Sequence, residues 1–314
     1  MVIYMKIRLG YVAICKCFES AFKTINYTNY LKYEDRDKRL DEIIKYNLNH
    51  LLEILKYNKK NNIHFYRISS NIVPLASHKD VDFDYITPYK KYYKKIANFI
   101  KDNNLRVDMH PSEYVILNST NKVVIENSIR ELIYHFKFLD ALEIEDKLLI
   151  VHIGSSTLGN KNSITRFINN FNKLPSYLKE IIAIENDDKV YNIEDVIYIC
   201  KQIGTRMILD YHHYLCNKQN DIKDLYKDIF DTFKKVPKIH FSSPKSKIKK
   251  DMRAHHDYID SDSFISFLES IKNLNYDIDI MLEAKMKDDA LFRLVRELKY
   301  KTNYKFIDET SFYI

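Results

Sequence analysis

Short apolar runs alternate with longer amphipathic stretches along the whole chain. Eight of the short runs read as strands: Ile7–Tyr11, Phe65–Ile68, Arg106–Met109, Leu148–His152, Ile181–Ile184, Arg206–Leu209, Lys238–Phe241 and Ile278–Leu282. The stretches between them repeat with helical period. Leu40, Ile43, Ile44, Asn47, Leu48, Leu51 and Leu55 fit one helix face, as do Ile129, Ile133, Phe136 and Leu139 further on. The same period runs through Ile164–Phe171, Ile193–Ile203, Ile222–Phe233, Phe264–Leu274 and Ala290–Tyr300. Thr87 before Pro88 predicts a helix N-cap, and Asn192 with Asp195 predicts a capping box. Eight strand-then-helix units predict a closed parallel (β/α)8 barrel, the TIM-barrel fold, as one domain over residues 1–314. A doubly wound open sheet is the structural alternative. To carry a nucleotide function it would need a glycine-rich phosphate turn, and the chain has four glycines with no G-x-G-x-x-G.

Chemistry sits at the strand ends. The third predicted strand runs into His110 and the fourth ends at His152. The fifth ends at Glu185 and the sixth at Asp210, followed by His212 and His213. The seventh holds His240 and the eighth ends at Glu283. In a barrel these six side chains converge on the C-terminal mouth. A lone histidine at a strand end is usually an ordinary hydrogen-bonded residue. Six consecutive strands each delivering an imidazole or carboxylate are not explained that way, because charges gathered at one place must be paired or metal-bound. Mixed imidazole and carboxylate donors suit Mn²⁺, Zn²⁺ or Fe²⁺. At about three or four protein ligands per ion, the set implies two or three ions. Such a cluster suits phosphodiester hydrolysis, activating water and neutralising phosphate and departing oxygen. His50, His64 and His135 fall on helix or loop patterns and read as structural.

Lys238 stands two residues before His240, so both point to one side of their strand. Two readings follow. Either the strand begins later and Lys238 reaches out to water, or it faces the cluster as a neutral amine or a carbamate.

Composition narrows the class. The 314 residues are 46% apolar and 30% charged, an ordinary globular balance with room for a sizeable core. The four cysteines, Cys15, Cys17, Cys200 and Cys216, are too few and too irregular for a disulfide framework or a zinc ribbon. Cys15-x-Cys17 alone is a weak metal signal, and the compartment reads as reducing. The first ten residues lack a long apolar core, and no later stretch suits a membrane span, so a cytoplasmic protein without a secretory leader is expected. No long apolar stripe is left unassigned, which favours a monomer. The net charge of +7 favours a polyanionic partner. Lys245, Lys247, Lys249, Lys250 and Arg253 concentrate it in one loop-like stretch. Lys90, Lys91, Lys94 and Lys95 read instead as a solvated helix face opposite Tyr89, Tyr92, Tyr93 and Ile96.

Taken together, the motifs resemble the UV damage endonuclease family, DNA-repair barrels related to endonuclease IV. The resemblance runs from Arg8–Tyr11 to Glu283–Lys285 and includes Tyr66–Asn71, Pro74–His78, His110–Tyr114, Leu117–Ser119, His152–Gly154, Glu185–Lys189, Asp210–His213 and His240–Pro244. It implies a site for three ions, usually Mn²⁺ with Zn²⁺ or Mg²⁺ as alternatives, held by His78, His110, His152, Glu185, Asp210, His213, His240, His255 and Glu283. His78 and His255 enter only through the resemblance, since both lie in loops. His255 rather than His256 matches, three residues before Tyr258. The family's modified lysine falls on Lys238, and Lys238, Glu185 and His240 are the implied catalytic residues. Damaged double-stranded DNA is the implied partner. Tyr11 is expected to face the lesion, and Glu113 and Tyr114 to enter the stack, Glu113 standing where the family commonly has glutamine. The implied reaction is ATP-independent hydrolysis immediately 5′ to a pyrimidine photoproduct, with abasic sites as secondary substrates. A general abasic-site endonuclease, a sugar isomerase or epimerase, and a non-catalytic DNA-binding protein are the rival readings.

Overall fold

The computed structural model describes residues 5–19 and 21–314, so part of the amino-terminal stretch read for targeting lies outside the described residues. Eight parallel strands close on themselves: β1 (Lys6–Val12), β2 (Phe65–Ile68), β3 (Arg106–Met109), β4 (Leu149–Val151), β5 (Ile182–Glu185), β6 (Arg206–Asp210), β7 (Lys238–Phe241) and β8 (Ile278–Leu282). The hydrogen-bonded order runs β2 to β8 and then β1, and β1 pairs back onto β2, which makes the (β/α)8 barrel. All eight predicted strands are present within a residue or two of their expected ends.

Helices cover the outside: α1 (Tyr27–Tyr30), α2 (Arg36–Lys60), α3 (Lys90–Asp102), α4 (Lys122–Ala141), α5 (Asn160–Asn172), α6 (Ser176–Ile181), α7 (Ile193–Ile203), α8 (Tyr211–Cys216), α9 (Tyr226–Phe230), α10 (Ser261–Ile271) and α11 (Lys287–Lys301). Their apolar stripes pack on the outward faces of the strands. In α3, Tyr93 and Ile96 are buried while Lys90, Lys91, Lys94 and Lys95 are exposed, so those lysines form the solvated face expected of them. Asn192 caps α7 by accepting from Asp195 N at 2.9 Å.

Three expectations change. Thr87 is not a cap: it lies in a 3-10 turn, Thr87–Tyr89, and the Asp84 carboxylate takes the free amides of Ile86 and Thr87 at 3.0 and 2.9 Å. A carboxylate is the stronger acceptor for those amides. The helix read over Ile222–Phe233 is a 3-10 turn followed by the short α9. A carboxy-terminal hairpin was also unforeseen. Its strand β9 (Lys305–Phe306) pairs with β10 (Ser311–Tyr313), which lies antiparallel to the first half of β1.

Alternate residues of each strand face the barrel axis. Toward the N-terminal end, Asp279 accepts from Arg8 Nε at 2.5 Å and from Arg106 Nη1 at 2.7 Å. One step up, Asp108 lies between Lys238 and Arg67. The opposite wall is apolar, with Leu148, Ile150, Ala183 and Ile208 in one cluster. Gly10 is required on β1: a Cβ there would fall 2.4 Å from the Phe65 carbonyl oxygen. This filling leaves the C-terminal mouth as the open end, and the strands end there in ligand-type side chains.

Candidate metal centre and nucleic-acid interface

Glu185, at the end of β5, is the centre of the mouth. It is buried, and its Oε2 lies 2.9 Å from His110 Nε2 and 3.6 Å from His152 Nε2. Its Oε1 lies 2.7 Å from His240 Nδ1 and 3.6 Å from His213 Nδ1. Across the mouth, Glu283 Oε1 is 3.3 Å from His240 Nδ1, and Glu283 Oε2 is 4.0 Å from His255 Nδ1. Three sets of donor atoms lie within 4.8 Å of one another: His110–His152–Glu185, Glu185–Asp210–His213 and Asp210–His240–Glu283. Residues from all six strands named in the sequence meet here.

Local backbone structure sets these positions. Asp210 ends β6 and caps α8, accepting from His213 N at 2.7 Å, which places His213 one helical turn on and over the same mouth. His213 Nδ1 lies 2.9 Å from the Asn186 carbonyl and His110 Nδ1 2.8 Å from the Pro111 carbonyl. Nδ1–H donation to that carbonyl would orient each ring and, in the neutral imidazole, aim the Nε2 lone pair at the mouth, where His110 Nε2 meets Glu185 Oε2. Asn186 also bridges β5 and β6, exchanging two 2.9 Å hydrogen bonds with the Asp210 backbone. Gly154 follows His152 at φ +108°, and a Cβ there would meet Asn118 Oδ1 at 2.6 Å. That close approach lets Asn118 bind both the amide and the carbonyl of Ser155, at 3.0 and 2.6 Å, and so joins the His152 loop to the loop that follows His110.

The electrostatics ask for cations. Burial alone would raise Glu185, but the imidazoles of His240 and His152 and the hydrogen bond from His110 hold it well below the usual carboxylate range. Burial, reinforced by Glu185 and Glu283, pushes Asp210 up to about 8. Burial opposes charge on His213, and the Asp210 and Glu185 carboxylates outweigh it, raising the imidazole to about 9. Burial pushes His240 down to about 4. Asp210 Oδ2 and His152 Nδ1 are buried without a hydrogen-bond partner among the described residues. Unpaired acceptors, four imidazoles and three carboxyl groups gathered at one mouth fit divalent ions, which would displace the shared protons and satisfy the donors together.

The remaining expected residues divide. His255 stands at the rim, half-buried, whereas His256 is exposed and accepts from Tyr258 N at 2.9 Å. His212 is buried between Ser242 Oγ and the Met252 carbonyl, both 2.7 Å away, in a structural role. His78 joins none of the close ligand groups. Its ring stacks on Tyr27 at 4.0 Å between centroids, and its Nδ1 accepts from Asp80 N at 3.2 Å. Lys238 does face inward: it is fully buried, its Nζ is bonded to Asp108, and it lies 5.1 Å from the Phe65 ring centroid. The reading in which it reaches out to water is therefore wrong. Burial pushes its ammonium down to about 7.

Tyr11 is a correction. It is 0% exposed, and its hydroxyl donates to Asn58 Oδ1 of α2 at 2.7 Å. Arg8 and Gly10 take the inward parity of β1, so Tyr11 points to the helices and packs on Tyr66, away from any substrate. Glu113 and Tyr114 sit on an exposed turn after β3, with Tyr114 76% exposed. A cavity of about 420 Å³ beside them is lined by His78, Ser112, Tyr114 and Glu131. In the loop after β7, Lys245, Lys247, Lys249 and Lys250 are exposed, and Arg253 is held by both oxygens of Asp188 at 2.5 and 2.9 Å.

Two residues of the site escaped the sequence reading. Arg67 Nη1 donates to Glu283 Oε1 and its Nη2 to His240 Nε2, both at 2.5 Å, while Asp108 anchors Lys238 beneath them. The available signal was a charge inside each of two four-residue strands, Phe-Tyr-Arg-Ile and Arg-Val-Asp-Met. A charge enclosed by apolar neighbours needs a partner.

With this geometry in hand, relatives give the arrangement a family. The model for UV-endonuclease UvdE matches residues 7–311. A UV DNA damage endonuclease from Bacillus thuringiensis subsp. konkukian is 38% identical, over 98% of this chain and 99% of the relative. One from Bacillus cereus strain G9842 is 39% identical over 94% and 95%. Among solved structures, SacUVDE superposes with a TM-score of 0.85 at 34% identity, covering 94% of this chain and 98% of that one. Endonuclease IV from Thermus thermophilus superposes with a TM-score of 0.57 at 11% identity, covering 94% of this chain and 100% of that one, a likeness of fold alone. Match length, identity and superposition agree: the chain belongs to the UV-endonuclease UvdE family.

Proposed function

We propose that this chain, a UV DNA damage endonuclease, cuts damaged duplex DNA by metal-dependent, ATP-independent hydrolysis immediately 5′ to a pyrimidine photoproduct. Cyclobutane dimers and 6-4 photoproducts are the substrates, with abasic sites secondary, and the products are a 3′ hydroxyl and a 5′ phosphate. The observation that carries this reading is Glu185, buried within 3.6 Å of four imidazoles, with Asp210 and Glu283 completing the set.

His110, His152, Glu185, Asp210, His213, His240 and Glu283 would hold the ions, with His255 at the rim; His78, stacked on Tyr27, would have to turn in from its loop to join them. The proposed complement is three, most simply Mn²⁺. Bound there, they would supply Lewis acidity for attack of water on phosphorus and offset charge on the leaving 3′ oxygen. The chain's own groups do the rest. The exposed lysines of the β7 loop bind backbone phosphates. Tyr114 enters the duplex and stacks on bases as the lesion leaves the helix, with Glu113 beside it. The 3′ oxygen departs as the new bond forms on the opposite side of phosphorus. Lys238 is the candidate for carboxylation: at about 7 it offers the neutral amine that carbon dioxide requires. We read the enzyme as a single domain over residues 1–314, monomeric and cytoplasmic. None of the helices described is long and apolar enough to cross a membrane.

The test is nicking of UV-irradiated and untreated supercoiled plasmid, with Mn²⁺ and with chelator. Selective, chelator-sensitive nicking of irradiated plasmid is expected, and Glu185→Ala abolishes it in a protein that still folds. Cutting of abasic plasmid with irradiated plasmid left intact would replace this reading with a general abasic-site endonuclease.

A further inference from the structure

A second set of donors, sharing no residue with the barrel-mouth cluster, gathers where the loop after β1 meets the first turn of α11. We propose that Cys15, Cys17 and Asp288 form a separate site for one thiophilic divalent ion of the Zn²⁺ class. Their donor atoms lie within 4.8 Å of one another. Cys15 is buried and Cys17 is exposed, so the site has an anchored side and a side open to solvent.

Asp288 is the independent observation. It is 1% exposed, and it accepts from Cys15 Sγ at 3.2 Å, Lys16 N at 2.6 Å and Tyr57 Oη at 3.1 Å. None of these partners is a cationic group, and no ion pair to Asp288 occurs among the described residues. Two of the three donors to this buried carboxylate, the Cys15 thiol and the Tyr57 hydroxyl, carry protons that a dication can displace. Burial first and then the neighbouring Asp288 carboxylate push the Tyr57 hydroxyl up. Burial, with Cys17 and Asp288 adding to it, raises the Cys15 thiol. One dication reverses each of these effects by taking the place of the thiol protons.

The donors choose the metal. Two sulfurs and one carboxylate oxygen are softer than the imidazole–carboxylate set at the mouth, and thiolates select Zn²⁺ over Mn²⁺ or Mg²⁺. At a Zn–S bond of about 2.3 Å, two sulfurs on a tetrahedral ion stand about 3.8 Å apart. The two Sγ atoms are 2.6 Å apart, so the exposed Cys17 side chain must swing outward, which a side chain in solvent does freely. The fourth position is then left to water or to the Tyr57 hydroxyl. A bound ion would tie the loop after β1 to α11 and brace that edge of the barrel.

Cobalt separates this site from the mouth, because only sulfur ligation gives the near-ultraviolet thiolate-to-Co²⁺ charge-transfer band. Reduced, chelator-treated full-length protein is titrated with Co²⁺ and then with Zn²⁺. The expected result is a band whose final amplitude corresponds to one thiolate-ligated Co²⁺ per chain, once the mouth has also filled, and which is displaced by Zn²⁺. It is lost in Cys17→Ser, weakened at least tenfold in affinity in Asp288→Asn, and unchanged in Cys216→Ser. Absence of the band, its survival in Cys17→Ser, or its loss in Cys216→Ser would overturn the proposal. So would a Cys15–Cys17 disulfide in peptide mapping of the metal-treated protein, since that bond consumes both donors. Cys17 is exposed, so its serine variant should fold. The readout is independent of DNA cleavage.

Discussion

Arg67→Met tests how the mouth is held together before any ion arrives. The guanidinium donates to Glu283 Oε1 and His240 Nε2, both at 2.5 Å, and its Nε lies 3.5 Å from Asp108 Oδ1. Glu283 and His240 belong to one of the three close ligand groups, so Arg67 and a divalent ion draw on the same residues. Methionine keeps most of the volume and removes the charge. Without metal, Glu283, its side chain only 14% exposed, then loses its guanidinium partner, and breaking a largely buried pair in this way costs up to about 3–5 kcal/mol. With divalent ions bound, the ions neutralise Glu283, and the cost falls to about 1–2 kcal/mol for lost packing. Linkage fixes the reverse effect: the variant binds its ions more tightly by the difference of about 2–3 kcal/mol, roughly 30-fold or more. Urea denaturation followed by circular dichroism, in chelator and in saturating Mn²⁺, measures both terms. An equal loss in the two conditions would refute the reasoning, because Arg67 and the ions would then hold different atoms at the same time.

Three further outcomes follow from single side chains. Tyr114→Ala, at a position 76% exposed, should change stability by no more than about 0.5 kcal/mol. Damaged-duplex affinity measured by anisotropy should fall by about 1–3 kcal/mol with metal content unchanged, and a parallel loss of metal would make Tyr114 a structural residue. Gly154→Ala forces a side chain onto a φ of +108° and a Cβ to 2.6 Å from Asn118 Oδ1. It should cost about 2–4 kcal/mol and lower nicking by displacing His152, checked by denaturation and plasmid assay. His135 is buried in α4, and burial pushes it from an ordinary 6.5 down to about 4. Between those values the unfolded chain takes up a proton that the folded chain refuses, so this contribution is complete above 6.5 and is lost as pH falls toward 4. From pH 7 to pH 5 the protein should lose about 2 kcal/mol more than His135→Gln does, and identical pH slopes would show that His135 does not titrate on unfolding.

The barrel and the convergence of its candidate site were legible because both rest on local pattern. Short apolar runs bounded by amphipathic stretches make strands and helices wherever they occur, and a ligand-type residue ending a strand in a closed parallel barrel has one place to go. His110, His152, Glu185, Asp210, His240 and Glu283 were found on that ground, and the two-residue step from Lys238 to His240 correctly placed both on one side of β7. The strand-end pattern offered His212 and His213 alike and the resemblance chose His213; the Asp210 cap and the turn it starts bring His213 over the mouth.

Tertiary structure decided what sequence periodicity cannot encode. A strand in a parallel barrel is buried on both faces, so apolar pattern does not say which face looks inward. Tyr11, expected from the resemblance to meet a lesion, takes the outward face and packs under α2 against Asn58. The interior charges find partners only across closure: Arg8 with Asp279 over a separation of 271 residues, Lys238 with Asp108 over 130, and Arg67 with Glu283 over 216. No window of sequence contains such a pair. The chain determines by itself that charges lie inside its strands, and only the closed barrel determines which of them neutralise one another and which gather into a candidate cation site.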